Sequence, residues 1–271
     1  MTTALTAPPL DPGLSELIDR VADRQRVDFG HMVSDVKADG SLITACDRWS
    51  DATLVEGLAA LYPNEHVLSE EGRQLVPVTP AYWVVDPLDG TTNFAAGIPY
   101  WAISLARFER GVPVLAILDV PPLRQRIVAV RGAGAWRNGK PIAAPSLQTH
   151  PAGCASLCSR SIGVLQKLPN QRFPGKIRLL GVASLNLVSV AMGQTVAALE
   201  ATPKIWDLAA AWLVLTELGC PVQWLARQPA GIPPGTDLGS ADFPVLAADR
   251  PETLATFMPW AKVLDCAARG T

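Results

Sequence analysis

The chain has 271 residues with a formal net charge of −2, and 49% of its residues are hydrophobic against 18% charged. That is enough apolar content for a sizeable core, and it excludes a disordered chain. The near-neutral charge excludes nucleic acid as the main ligand. Five cysteines without a C-x-x-C pair, and only three histidines, argue against a Cys/His zinc site and for reduced, buried thiols.

Met1–Pro9 has neither the basic start nor the apolar centre of a signal peptide, and residues 1–13 read as a loose arm ending in Asp11-Pro12-Gly13. Leu14, Leu17, Ile18, Val21 and Val27 recur at helical spacing and predict an amphipathic helix from Leu14 to about Val33. Asp39-Gly40, between two short β-prone runs, predicts a hairpin over Asp35–Thr44, and a second helix fits Asp47–Leu61. Strands are expected at His66–Ser69 and Tyr82–Val85. Three further β-rich runs lie between Trp101 and Val130, and another hairpin over Arg131–Ile142.

The pattern changes around Ala143–Gln148, after which helices are expected at Ser184–Met192, Trp206–Leu218 and Pro251–Val263, with a strand at Thr195–Glu200. Pro169–Gly175 and Pro229–Gly239 read as loops, and there is no internal repeat. The expected layout is an α+β half over 1–145 and an α/β half over 146–271, with a cleft between them. The apolar runs Val112–Val120 and Ala209–Leu218 are shorter than a membrane span, so a soluble, cytoplasmic protein without membrane contact is expected.

The densest chemical signal is Trp83-Val84-Val85-Asp86-Pro87-Leu88-Asp89-Gly90-Thr91-Thr92-Asn93-Phe94. An apolar strand runs into two aspartates with Pro87 between them, expected to fix a turn, and with Gly90 permitting close backbone approach. Paired carboxylates at a strand end suit a hard cation such as Mg²⁺, and a helix starting here would turn the amides of Gly90, Thr91 and Thr92 toward a phosphate. An Asx-type turn with a helix cap explains the same residues without any ligand. An aspartyl-phosphate mechanism is excluded because Pro87 stands where its motif needs an aspartate. An EF-hand at Asp35–Cys46 fails at Lys37 and Cys46. Adjacent acids at Glu70-Glu71 call for a cation or for water, and Asp207, in the first turn of an apolar helix, is also explained by capping.

Taken in order, Asp47, Glu70-Glu71, Asp86-x-x-Asp89-Gly90-Thr91 and Trp206-Asp207 resemble the lithium-sensitive, Mg²⁺-dependent phosphatases, and within them the inositol monophosphatase family. Asp86–Phe94 and Trp206–Ala210 match its two signatures, and the resemblance spans about residues 30–220. It implies a layered αβαβα sandwich and two to three Mg²⁺ ions, with Mn²⁺ as an alternative. It implies that Glu70, Asp86 and the Leu88 carbonyl hold one ion and that Asp86, Asp89 and Asp207 hold another. A third, weaker ion would lie near Glu70, with Glu71 close by as a further catalytic group. The amides of Gly90 and Thr91 would grip the phosphate, and Asp47 with Thr91 would orient and deprotonate the attacking water.

By the same resemblance Gly181, Val182 and Ala183 line the substrate pocket, Glu200 accepts substrate hydroxyls, and Lys37 and Arg178 are basic positions near the cleft. The implied activity is hydrolysis of a small polyol or sugar phosphate, first of all inositol monophosphate, by a homodimer inhibited by lithium. Histidinol phosphate, fructose 1,6-bisphosphate, NADP and 3′-phosphoadenosine phosphate are alternative substrates. The last is disfavoured because its branch reads Asp-Gly-Thr-Lys where this chain has Thr92. A regulatory, non-catalytic partner role is the remaining alternative. The segment Cys154–Lys176 departs from the family pattern and bears on the substrate mouth and the subunit contact.

Overall fold

The structure is a computed structural model that describes residues 10–31, 33–37, 40–145 and 153–268. Residues 1–9 of the arm expected over 1–13, the Ala38-Asp39 part of the first hairpin turn, the Ser146–Gln148 half of the expected change of pattern at Ala143–Gln148, and the Cys266 side chain lie outside the described residues.

Helix α1 runs over Pro12–Asp28, and the Asp11 side chain accepts the amides of Gly13 and Leu14 at its start. It ends five residues before the expected Val33. Phe29 leaves the helical region, Gly30 takes a positive φ of 78°, and Val27 falls on the solvent side at 72% exposure. The hairpin strands β1 (Ser34–Val36) and β2 (Leu42–Thr44) pair as expected. Helix α2 (Ala45–Leu61) starts two residues earlier than predicted. Thr44 caps it, and Asp47 closes a capping box back onto the Thr44 backbone.

A seven-stranded sheet follows, in the order β3 (His66–Ser69), β4 (Ala81–Asp89), β5 (Ala102–Glu109), β6 (Val112–Val120), β7 (Gln125–Val130), β8 (Gly134–Arg137) and β9 (Lys140–Pro141). Only the β3–β4 pair is parallel. Alternation along β4 serves two cores. Trp83 and Val85 face α1 and α2, whereas Tyr82 and Val84 face the middle of the molecule.

The second half adds a five-stranded sheet in the order β11 (Lys176–Arg178), β10 (Cys154–Leu157), β12 (Ala197–Glu200), β14 (Val245–Ala248), β13 (Val222–Trp224). Of these only β12 is expected from the sequence. The others are short runs of small or mixed residues without alternation, so periodicity does not single them out. The short helices α3 (Thr91–Ala95) and α4 (Val164–Lys167) complete the set with α5 (Ala183–Ala191), α6 (Ile205–Glu217) and α7 (Pro251–Ala268).

Helices α5 and α6 lie between the two sheets, where Leu208, Ala210, Ala211 and Val214 share one core with Tyr82, Phe108, Leu118 and Val245. Phe257, Trp260 and Ala261 of α7 cover the outer face of the smaller sheet with Leu157, Leu199 and Leu246. The result is helix, sheet, helix, sheet, helix: the αβαβα sandwich expected from the resemblance. Burying two sheets on both faces explains the apolar composition.

Candidate active site

Strand β4 does not stop at Val85 but carries Asp86 through Asp89 within it. Pro87 therefore does not make the expected turn. It cannot donate to the ladder, and the pairing with β5 shifts register between Asp86 and Asp89, a bulge that brings both aspartates to the same end of the strand. The Asx-type contact is also present: the Leu88 amide donates to Asp86 Oδ1 at 3.0 Å.

Gly90 then turns the chain into α3 with φ of 104°, a conformation that side-chain-bearing residues rarely adopt. A Cβ here would lie 2.8 Å from Val182 Cγ2 and 3.4 Å from the Trp101 backbone. Asn93 of α3 donates its Nδ2 to the carbonyls of Tyr100 (2.9 Å) and Leu180 (2.8 Å), tying this turn to the Leu180–Ala183 segment.

Asp207 enters from the first turn of α6, where its Oδ2 accepts the Lys204 amide at 2.8 Å. One oxygen each of Asp86, Asp89 and Asp207 lies within 4.8 Å of the others. Burial raises the Asp86 and Asp207 carboxyls well above the ordinary carboxylate range, and the nearby charges of Glu70 and Asp89 add to it. Asp89 is raised to about 6, with burial opposed by hydrogen bonds from Ser184 and Ala183. Three crowded carboxylates held this way are strained by their charge, and an all-oxygen donor set of this kind suits a hard divalent cation.

Glu70 follows β3 beside this cluster and is the leading charge acting on Asp86 after burial. Its Oε1 accepts from Lys37 Nζ at 2.8 Å, and Lys37 also pairs with Glu71. Glu71 is raised to about 7 by burial and by Glu70, with Lys37 opposing. Burial works to lower Lys37, but Glu70 and Glu71 together hold it above the ordinary lysine value. On the other side, Thr91 Oγ1 lies 2.7 Å from Asp47 Oδ1 and 3.1 Å from the Leu88 carbonyl oxygen. Asp47 Oδ2 accepts both the amide and the hydroxyl of Thr44, so the capping box aims the carboxylate at Thr91.

A cleft of about 490 Å³ opens over Asp89 and Asp207. Thr92, Gly181, Val182, Ala183 and Glu200 line it. Lys37 and Arg178 are not among its lining residues. Lys37 is engaged by Glu70 and Glu71, and Arg178 Nη1 donates to the Ile177 carbonyl. The cation in the described lining is instead Arg160, braced on Thr202 Oγ1 at 2.6 Å.

Sequence reasoning also missed Asn93, Cys158 and Asn186 on this wall. Cys158 is half-buried, unlike Cys46 and Cys220, which fit the expectation of buried thiols. Glu200 is 2% exposed and is pushed up to about 8 by burial, against hydrogen bonds from Asn186 and Cys158.

Residues 13–255 match the sequence pattern of the inositol monophosphatase family. The chain belongs to that family. Curated relatives include a fructose-1,6-bisphosphatase/inositol-1-monophosphatase of Thermotoga maritima, 28% identical over 75% of this chain and 80% of that one. A histidinol-phosphatase of Mycobacterium tuberculosis is 33% identical over 75% and 82%. A putative Nus factor SuhB of Neisseria meningitidis serogroup B is 32% identical over 79% and 85%.

Among solved structures, the Thermotoga maritima IMPase superposes with a TM-score of 0.76 at 24% identity, over 94% of this chain and 96% of that one. An IMPase/NADP phosphatase complexed with Mg²⁺ and phosphate gives 0.74 at 23%, over 90% and 93%. A LiCl-soaked inhibitory complex of Staphylococcal inositol monophosphatase-1 gives 0.73 at 23%, over 90% and 92%. These structures share the fold described above. Among the described residues no helix is long and apolar enough to cross a membrane.

Proposed function

We propose that this family member is a Mg²⁺-dependent phosphomonoesterase acting on a small polyol or sugar phosphate, with inositol monophosphate as its first candidate. The observation that carries the reading is the meeting of Asp86, Asp89 and Asp207 within 4.8 Å, with Asp89 and Asp207 lining a cleft whose wall also holds Glu200. Asp86, Asp89 and Asp207 would hold one ion, and Glu70 with Asp86 and the Leu88 carbonyl another, with Glu71 near a third. Bound there, Mg²⁺ supplies Lewis acidity toward the phosphoryl oxygens and lowers the pKa of water.

This chain's own residues do the rest. Asp47, aimed by Thr44, takes a proton through the Thr91 hydroxyl and so orients the attacking water. The left-handed turn that Gly90 permits would open the backbone amides of Gly90 and Thr91 toward the phosphate. Glu200 accepts a hydroxyl of the leaving group. Such a reaction depends on positioning and charge stabilisation, and no covalent phosphoenzyme forms.

The homodimer, lithium inhibition and a cytoplasmic location belong to the same reading. It draws support from a relative named for inositol-1-monophosphatase activity and from solved neighbours bound to Mg²⁺ or inhibited by LiCl. A second reading, a regulatory partner role, rests on the similarity to the putative Nus factor SuhB.

The test is phosphate release with Mg²⁺ from inositol 1-phosphate, histidinol phosphate, fructose 1,6-bisphosphate, NADP and 3′-phosphoadenosine phosphate. Strong preference for one substrate, lost in Asp86→Asn, is the expected result. A cellular effect that survives Asp86→Asn would favour the regulatory reading.

A further inference from the structure

Glu200 ends β12 with its side chain buried, and it lines the same cleft as Asp89 and Asp207. A carboxylate so placed needs a donor, because leaving one buried without a partner is costly. Among the described residues one nitrogen reaches it: Asn186 Nδ2 donates to Glu200 Oε1 at 2.8 Å. The Cys158 thiol, the other group facing Glu200, is a weak donor.

Asn186 is itself 1% exposed on the cleft wall, its Nδ2 serves Glu200, and its Oδ1 has no hydrogen-bond partner. It stands on the first turn of α5, two residues after Ser184, whose amide donates to Asp89 Oδ2 at 2.7 Å. One helical turn therefore grips Asp89 through Ser184 and Glu200 through Asn186.

We infer that Asn186 is a positioning residue for leaving-group recognition. It holds Glu200 facing the cleft as the acceptor of a substrate hydroxyl and makes the first turn of α5 the spacer between the phosphate end and the leaving-group end. The inference rests on the phosphomonoesterase reading. An amide donor favours the charged, accepting form of Glu200 against the burial that pushes its carboxyl up. Without Asn186 the carboxyl loses the one nitrogen that fixes its orientation toward the cleft.

The experiment compares Asn186→Leu, Asn186→Ser, Glu200→Gln and the Asn186→Leu/Glu200→Gln double variant with the wild type. Each is assayed with Mg²⁺ on inositol 1-phosphate and on 4-nitrophenyl phosphate, which offers Glu200 no hydroxyl. Both Asn186 variants are expected to raise KM for inositol 1-phosphate about 10- to 100-fold, the scale of a hydrogen bond to a charged group. The ratio of kcat/KM for the polyol ester to that for the aryl ester falls by the same factor. In the Glu200→Gln background, Asn186→Leu changes that ratio by less than about twofold, because the two residues act as one unit.

Equal losses on both esters in both Asn186 variants, or full additivity with Glu200→Gln, would overturn the inference. A wild type that hydrolyses the aryl ester but no polyol ester overturns it while leaving the phosphatase reading standing. A wild type that hydrolyses neither overturns both.

Discussion

Asp89 accepts the amides of Ala183 (3.3 Å) and Ser184 (2.7 Å), so a carboxylate at the end of β4 caps a helix that begins 94 residues later. Val182, the residue before that helix, supplies no side-chain cap of its own. The positive end of α5 thus stabilises charge on Asp89, and the metal-binding candidate is fixed by the fold. In Asp89→Asn the single amide oxygen keeps the shorter bond from the Ser184 amide and gives up the one from Ala183, while one charge leaves the crowded cluster. Calorimetry without metal should show a melting temperature no lower than wild type. The rise on adding Mg²⁺ should disappear, and phosphate release should drop by at least about 100-fold.

The acidic cluster sets a pH dependence of definite sign. Burial raises Asp89 to about 6, Glu71 to about 7 and Glu200 to about 8, with Asp86 and Asp207 also raised. In the unfolded chain these carboxyls release their protons near pH 4. Above that pH the folded state binds more protons than the unfolded one, so stability is full at low pH and is lost as pH rises through 6 to 8. Each such group removes up to about 1.4 kcal/mol per pH unit across its window. Denaturant titrations of metal-free protein should show this decline from pH 5 to 8. Mg²⁺ should reverse it at pH 8, and stability that rises over that range would contradict the buried-cluster account.

Gly90→Ala places a methyl against Val182 Cγ2 and Trp101 at a φ of 104°. Strain and overpacking together predict a loss of about 2–4 kcal/mol, with phosphatase activity reduced further than the folded fraction explains. Chemical denaturation beside an activity assay separates the two effects.

Asn93→Leu removes the donor shared by the Tyr100 and Leu180 carbonyls, leaving both without this partner. The expected cost is about 1–3 kcal/mol. The wall at Gly181–Ala183 loses its tie to α3, so KM should rise more than kcat falls. An unchanged KM would show that the tie has no bearing on the cleft.

Much of the first half was legible in the sequence because its strands alternate over two apolar cores and its turns carry Asp-Gly or Asn-Gly. The bounds of His66–Ser69 and the pairing of the first hairpin agree with the structure. Helical spacing overextends the first helix because Val27 fits the core-face period, whereas Phe29 leaves the helical region after Asp28 and Gly30 takes a positive φ. The smaller sheet was mostly illegible. Strands as short as Cys154–Leu157 and Val245–Ala248, buried on both faces, carry no period of two.

The motifs carried the resemblance to the family, and that resemblance implied the acidic ligand set and the αβαβα sandwich, since carboxylates beside Gly90 and Thr91 carry their chemistry in residue type and spacing. Tertiary structure decided what those residues face. It carried the strand through Pro87 as a bulge, set Lys37 on Glu70 and Glu71, and lined the cleft with Arg160 instead of Arg178. It also joined Asn186 to Glu200. These are contacts between segments far apart in the chain. They form only when two sheets close on α5 and α6, and no local pattern encodes the partner of a side chain that burial selects.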